Sequence, residues 1–295
     1  MSTDRALEVL ATGPLALVQD LGRVGFAAVG VGRSGAADRD AFRLGARLLA
    51  QSCSAAALEV TLGRLSVRAR GDVMLALTGA PAPADVDGRG VGYCGPFTLA
   101  DGQILTLGTP RVGLRTYVSV RGGINVPQVL GSRATDTLSG LGPEPVRAGD
   151  LLPVGPPPAD FPNVDQAPTA ALSGETLLLH ALPGPRDDWL ADSSALAGTQ
   201  WTASSRSDRV GMRLEGEPLR YHVSRKGKEL PSEGVVRGSI QVPPGGEPVV
   251  FLADHPVTGG YPVVAVVVDD DIDRAAQAVP GQQIRIVLLG RLLEA

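Results

Sequence analysis

Histidine and cysteine are nearly absent from this chain, with three and two among 295 residues. That scarcity excludes chemistry that needs them in numbers, such as imidazole–thiolate metal centres and disulfide frameworks. Cys53 and Cys94 have no CxxC neighbour, and both read as inert packing thiols of a reducing compartment. His180, His222 and His255 show no HxH or HxxxH spacing, and no GxSxG elbow accompanies them. His180 lies in an apolar strand pattern and reads as a core residue, whereas His255 stands among polar loop residues. Aromatic residues are only 4% of the chain, so the cores must be built from Val, Leu, Ile and Ala. No apolar run approaches the about 20 residues that a membrane-spanning helix needs. Positive charge is also short. The net charge is −4 and the isoelectric point near 5.5, which argues against a phosphate-backbone partner. The one locally basic stretch, Ser224-Arg225-Lys226-Gly227-Lys228, reads as a solvated hairpin tip. A Walker phosphate loop, GxxxxGK[ST], is missing. The opening residues, Met1-Ser2-Thr3-Asp4-Arg5, lack a charged segment followed by an apolar one, so a cytoplasmic location is expected.

Glycine and proline are plentiful, at 38 and 24 residues. Spread evenly, they set frequent turns between short elements and favour a mainly β fold. Residues 7–18, with a turn at Gly13-Pro14, predict a hairpin. A helix is expected from Asp38 as N-cap to about Gln51, with Phe42, Ala46 and Leu49 on one face. Strands follow at Leu58–Thr61, Leu65–Ala69, Val73–Thr78, Ile104–Leu107 and Tyr117–Val120. The proline-rich stretch from Pro153 to Pro168 reads as a stiff linker. It predicts two β-rich lobes, residues 1–160 and 161–295. The second lobe opens at Thr176–His180. It contains Val263–Val268, an unbroken apolar run suited to a strand buried on both faces. A helix near Ile272–Ala278 and a strand at Ile284–Leu289 close it. The phrases Gly149-Asp150-Leu151-Leu152 and Gly281-Gln282-Gln283-Ile284 each end a lobe, as duplication or shared turn chemistry would give.

Gly30-Val31-Gly32-Arg33-Ser34-Gly35 matches GxGxxG ahead of a helix, but the alternation of strands with long helices that a dinucleotide fold requires is missing. Backbone N–H groups at that helix start remain a possible anion cradle. Asp269, Asp270, Asp271 and Asp273 imitate a calcium loop only briefly, because Arg274 replaces the required glycine and Pro280 the final acid. They read as a helix start, and no metal site is expected. What remains are polar turns that join a carboxylate to Gly, Ser, Thr or Arg. These are Gln19-Asp20-Leu21-Gly22-Arg23, Ser207-Asp208-Arg209-Val210-Gly211, Ser232-Glu233-Gly234, and Asp254 through Thr258-Gly259-Gly260-Tyr261. A carboxylate can activate water, Arg can hold an anion, and glycine admits close backbone donors. Each alone is also an ordinary capped turn.

At these clusters the sequence resembles a family known under three names: the C subunit of 5-oxoprolinase, allophanate hydrolase subunit 2, and the Kip-type antagonist of a kinase inhibitor. It is a carboxyltransferase-like group. The matching phrases include Val18-Gln19-Asp20-Leu21-Gly22-Arg23, Ser34-Gly35-Ala36-Ala37-Asp38, Ala57-Leu58-Glu59-Val60-Thr61 and Val129-Leu130-Gly131-Ser132-Arg133-Ala134-Thr135-Asp136. In the second half they include Pro183-Gly184-Pro185, Ser207-Asp208-Arg209-Val210-Gly211, Gly238-Ser239-Ile240-Gln241-Val242-Pro243 and Thr258-Gly259-Gly260-Tyr261-Pro262. The chain departs from the family pattern at Val263, where a basic residue is frequent, and at His255-Pro256.

The resemblance implies two tandem cyclophilin-like β-barrel lobes. It also implies a smaller companion protein, of the type called the B subunit of 5-oxoprolinase or allophanate hydrolase subunit 1. A third protein, the A subunit of 5-oxoprolinase, and ATP used by the complex are implied with it. The implied activity is the ATP-dependent opening of 5-oxoproline to glutamate. On that reading Asp20, Asp208, Glu233 and Asp254 are candidate catalytic carboxylates. Arg23, Ser34, Glu59, Ser207, Arg209, Thr258, Gly259 and Tyr261 are candidate substrate contacts, with Arg23 or Arg209 on a phosphate or carboxylate. Two other readings stay open. One is a non-catalytic binding partner of a kinase inhibitor. The other is a component of urea or allophanate metabolism with a biotin-carboxylase partner.

Overall fold

The computed structural model describes residues 5–169 and 172–290; residues 1–4, on which most of the reading of the chain's start rests, lie outside it. Two compact units emerge. The first comprises Met1–Val24, Ser34–Asp136 and Gly140–Leu172, and the second Gly25–Arg33, Thr137–Ser139 and Ser173–Ala295. The chain therefore contributes two short early excursions, 25–33 and 137–139, to the unit that is otherwise built from Ser173 onward.

The first unit is mainly β. Its strands are β1 (Ala6–Thr12), β2 (Leu15–Gln19), β3 (Ala57–Thr61), β4 (Leu65–Arg70), β5 (Val73–Gly79), β6 (Ala84–Val86), β7 (Arg89–Gly90), β8 (Pro96–Leu99), β9 (Ile104–Leu107), β10 (Arg115–Val120) and β11 (Leu151–Pro153). They form a six-stranded sheet, β11-β1-β4-β9-β6-β7, and a five-stranded sheet, β2-β3-β10-β5-β8. Along β4, Leu65, Val67 and Ala69 point inward while Ser66 and Arg68 do not, the period of two expected of a strand with one buried face. Both sheets line one core that includes Leu7, Val18, Leu58, Val67, Leu75, Leu105 and Val118. The hairpin expected over residues 7–18 does not form. β1 pairs with β4 and β11, while β2 pairs with β3. The Gly13-Pro14 turn is thus a corner that hands the chain from one sheet to the other.

Helix α1 (Arg39–Leu48) begins where the sequence places it, with the Asp38 side chain accepting from the Ala41 N–H at 2.9 Å. It packs on β5 and β10. This explains why all six residues of β10 are buried: one face meets the core and the other meets the helix. The proline-rich stretch is laid along the first unit. Arg121 Nη2 donates to the Pro158 carbonyl at 2.8 Å and the Asp160 carbonyl at 2.5 Å, and the Ala167 N–H donates to the Cys94 carbonyl at 2.7 Å. Burial pushes the Cys94 thiol up from its ordinary value, so it stays protonated and weakly nucleophilic.

In the second unit β12 (Leu177–Pro183), β13 (Trp201–Ala203), β14 (Gly211–Glu215), β16 (Ser239–Gln241), β17 (Val249–Phe251), β19 (Val263–Val267) and β20 (Gln283–Leu288) close into a seven-stranded barrel. The closing pair, β12 with β20, is parallel. Trp201, Leu214, Ile240, Val250, Ala265 and Ile284 fill it. A two-stranded ribbon, β15 (Glu233–Gly234) with β18 (Thr258–Gly259), stands apart from the barrel sheet. A short helix α2 (Ala195–Gly198) precedes β13, and helix α3 (Asp269–Ala275) follows β19. The acids that imitate a calcium loop are the first turn of α3 and its neighbours. Asp271 accepts from Arg274 and from His180, and Asp273 from Arg237. His180 is no core residue: its side chain is 40% exposed, with Nδ1 held 2.8 Å from Asp271. Its place in an apolar strand hid the buried carboxylate that α3 brings alongside. No described helix is long and apolar enough to cross a membrane.

Candidate functional site

In the first unit the polar residues singled out from sequence converge on one segment, residues 129–136. Asp20, 5% exposed, accepts from the Gly22 N–H at 2.8 Å, the Ser132 hydroxyl at 2.6 Å and the Arg133 N–H at 2.7 Å. Gln19 Nε2 donates to the Thr135 carbonyl at 2.8 Å, and Ser34 Oγ donates to the same carbonyl at 3.3 Å. Arg23 donates from Nε to the Val129 carbonyl at 3.2 Å and from Nη2 to the Ala134 carbonyl. The sequence phrases 18–23 and 129–136 are therefore two halves of one buried polar joint.

Glu59 is engaged differently. Its Oε2 accepts from the Ala37 N–H at 2.9 Å and the Tyr117 hydroxyl at 2.7 Å, and Oε1 is 3.4 Å from Arg115 Nε. The Tyr117 hydroxyl also accepts the Asp38 N–H at 2.9 Å. Burial first, and the Glu59 carboxylate second, hold the Tyr117 phenol well above its ordinary pKa. The donors at the start of α1 are thus met by Glu59, Tyr117 and Asp38. The N–H groups of Ala37, Asp38 and Ala41, open to an anion on sequence grounds, are taken by these protein acceptors.

The second unit gathers two groups. In the first group Arg209 and Asp254 form a buried pair, with side chains 2% and 0% exposed. Arg209 Nε donates to Oδ2 at 2.9 Å and Nη2 to Oδ1 at 3.0 Å. Thr137 adds its N–H at 2.9 Å and its hydroxyl at 2.7 Å to Oδ2, which ties the 137–139 excursion into this unit. Asp208 beside them is only partly covered. Its Oδ1 accepts from the Val210 N–H at 2.8 Å and the Gly211 N–H at 3.0 Å, an Asx turn on an exposed residue. Ser207 Oγ accepts from the Arg213 N–H at 3.1 Å. The next residue after Asp254, His255, stacks on Phe251 with ring centroids 6.0 Å apart. His255 Nδ1 lies 2.7 Å from the Pro256 carbonyl; a carbonyl only accepts, so Nδ1 carries a proton.

The second group is the ribbon. Glu233 is held by Arg186, whose Nε lies 3.0 Å from Oε1 and 3.1 Å from Oε2. Arg186 keeps the Glu233 carboxyl below its ordinary value. A depressed carboxylate stabilises the fold above its unfolded pKa, and the contribution is lost as pH falls through the folded one. A carboxyl NMR titration should therefore give Glu233 a midpoint below that of a free glutamate, restored upward in Arg186→Gln. Gly259 faces Gln241, whose Nε2 donates to the Tyr261 carbonyl at 2.9 Å. A Cβ at position 259 would collide with that Nε2. Gly259→Ala is expected to break the Gln241–Tyr261 bond and cost about 1–3 kcal/mol, read as a fall in the urea midpoint. Thr258 and Tyr261 are exposed, so this edge faces solvent.

Sequence reasoning missed Thr137, Arg186, Gln241, Arg115 and Tyr117. Arg186 directly follows the Pro183-Gly184-Pro185 phrase, and Gln241 lies inside Gly238–Pro243. Gln241 has no acid beside it to mark chemistry, and Arg186 stands one residue past its phrase, next to Asp187 and Asp188 and not to the Glu233 it binds. Among the described residues, no group of three or more His, Cys, Asp or Glu is placed to hold a metal ion.

The likeness to known proteins runs along most of the chain. The family model described as carboxyltransferase domain, subdomain A and B, matches residues 29–288. The chain is 38% identical to the C subunit of 5-oxoprolinase from Escherichia coli over 286 residues, covering 95% of this chain and 90% of that protein. It is 31% identical to the C subunit of 5-oxoprolinase from Haemophilus influenzae, covering 95% and 90%. Among solved structures, the K. lactis urea amidolyase superposes with a TM-score of 0.92 at 29% identity, over 98% of this chain and 19% of that one.

Proposed function

The chain belongs to the carboxyltransferase-domain family, and from that premise we propose that it is one component of an ATP-dependent 5-oxoprolinase. The carrying observation is the match to the C subunit of 5-oxoprolinase along 95% of this chain and 90% of the relative. The urea amidolyase relatives and structures are far longer proteins of which this chain spans a small part. In the proposed reaction a smaller companion and a third protein complete the machinery. ATP activates the amide oxygen of the lactam, and water then opens the ring to glutamate. A five-membered lactam resists direct hydrolysis. Once its amide oxygen is phosphorylated, water adds at the ring carbon and the C–N bond breaks with the ring nitrogen leaving as the amine. A second water then hydrolyses the resulting acyl phosphate to glutamate and inorganic phosphate.

The geometry sorts the candidate carboxylates. Asp20 and Asp254 are buried and accept several donors each, which supports giving them loop-holding roles in this proposal. Glu233 is tied to Arg186 and is a weaker base for it. Asp208 is an exposed carboxylate on a fixed turn. It is the proposed general base. Ser207, Thr258 and Tyr261 are the proposed solvent-facing contacts, and Arg209 serves through Asp254 to hold the turn that carries Asp208.

The test is an omission assay. The chain is purified with its two companion proteins, and glutamate release from 5-oxoproline is measured with ATP. Release is expected from the full set and none when this chain is left out. Equal release without it would sink the reading and favour the purely regulatory one.

A further inference from the structure

The second unit carries a cavity of about 210 Å³ that shares no residue with the Asp208 turn or with the ribbon. Its walls are fixed. On one side the Ala191 N–H donates to the Arg220 carbonyl at 2.9 Å and the His222 N–H to the Trp189 carbonyl at 2.8 Å, so residues 189–191 run paired with 220–222. On the other side stands α2, anchored where Trp201 Nε1 donates to the Leu196 carbonyl at 2.9 Å. The segment from 216 to 220 is pinned at both ends. A Cβ at Gly216 would lie 2.7 Å from Trp201 Cε3, and the Leu219 N–H donates to the Gly246 carbonyl at 3.0 Å. Leu219 is buried at the cavity floor, whereas Asp192, Glu217 and Arg220 are exposed at its rim. A ligand therefore reaches it from solvent without crossing the core.

The rim places two carboxylates and one guanidinium around the same small space. Elsewhere in this unit Arg186, Arg206, Arg225, Arg237 and Arg274 each reach a carboxylate. Arg220 does not, although two acids line its cavity. Among the described residues neither Arg220 nor Glu217 forms an ion pair or a side-chain hydrogen bond. Asp192 is engaged on one oxygen only. Its Oδ1 accepts the Ser194 N–H at 2.8 Å and the Ser194 hydroxyl at 2.6 Å, bonds that hold its carboxyl below the ordinary value and keep it charged. A simple anion entering here meets two like charges, and a simple cation meets Arg220. A zwitterion finds an opposite charge for each of its ends. Size narrows the choice further. At roughly 30 Å³ per water the cavity holds about seven waters, too few for a nucleotide. Ala191, Ala195 and Leu219 line the rest and suit a short apolar group.

We propose that this cavity binds a free α-amino acid with a short, uncharged side chain. Arg220 takes its carboxylate, Glu217 and Asp192 share its ammonium group, and Ala191, Ala195 and Leu219 meet its side chain. The site is independent of the 5-oxoprolinase reading and stands or falls without it.

The test titrates the full chain with L-alanine, followed through the methyl NMR signals of Ala191 and Ala195 and the side-chain N–H signal of Arg220. Propionate, which lacks the ammonium, ethylamine, which lacks the carboxylate, and L-glutamate, which brings a third carboxylate to the rim, are titrated beside it. L-alanine is expected to shift these signals saturably below about 10 mM. Propionate and ethylamine should each bind at least about ten-fold more weakly, and L-glutamate more weakly than L-alanine. Arg220→Gln and Glu217→Gln should each weaken L-alanine about ten-fold and leave the urea midpoint unchanged, because both side chains are exposed. Signals that do not move up to about 10 mM L-alanine overturn the site. So does propionate or ethylamine binding as tightly as L-alanine, L-glutamate binding more tightly, or a folded Arg220→Gln or Glu217→Gln that binds like wild type.

Discussion

Asp254→Ala is expected to destabilise the second unit by about 3–5 kcal/mol, the scale for stripping one partner from a buried ion pair. The substitution leaves the Arg209 guanidinium buried beside an empty place, and it orphans both the N–H and the hydroxyl of Thr137. Much of the loss comes from taking a carboxylate away from a buried charge and not from the bond itself. Hence the double variant Arg209→Met with Asp254→Leu should recover a large part of it. Urea unfolding of the single and double variants measures both numbers. An Asp254→Ala protein within about 0.5 kcal/mol of wild type, the range of an ordinary surface change, would show that the pair does not hold the 137–139 excursion in place.

Asp208→Asn is expected to lower kcat of the assembled complex by about 10²–10⁴-fold, the usual contribution of a positioned general base. Its stability should scarcely change. Asparagine keeps the Oδ1 acceptor that holds the Val210 and Gly211 N–H groups, so the turn survives while the side chain loses its basicity. Asp208→Ala should lose the activity and also the turn, about 0.5–1.5 kcal/mol for each hydrogen bond given up. The comparison separates chemistry from scaffolding. An Asp208→Asn complex with full turnover would move the base elsewhere.

Much of this was legible in the sequence because the signals were local. Asp38 as N-cap, the alternation along Leu65–Ala69 and the apolar run at Val263 each predict their element, since capping and side-chain period act within a few residues. The carboxylate-bearing turns were legible as turns for the same reason. Pairing between distant segments was not. The Gly13-Pro14 turn carries an ordinary hairpin signature, and only the pairing of β1 with β4 and of β2 with β3 turns it into a corner. Asp20 and Asp254 look alike as turn carboxylates, yet their hydrogen-bond partners Ser132 and Thr137 lie 112 and 117 residues away from them, and no local pattern announces those bonds. Arg23 and Arg209 likewise carry the same sequence signal beside a carboxylate and a glycine. Burial with Asp254 neutralises one and burial without a counter-ion leaves the other charged, a difference no spacing encodes.

The most direct measurement gives the assembled complex a choice of substrate. ADP is followed with 5-oxoproline in one arm and with urea plus bicarbonate in the other, and glutamate is quantified beside it. The proposed function predicts ADP and glutamate formed in equal amounts from 5-oxoproline, and no ADP above background from urea. ADP formed with urea and bicarbonate, with 5-oxoproline left intact, would contradict it.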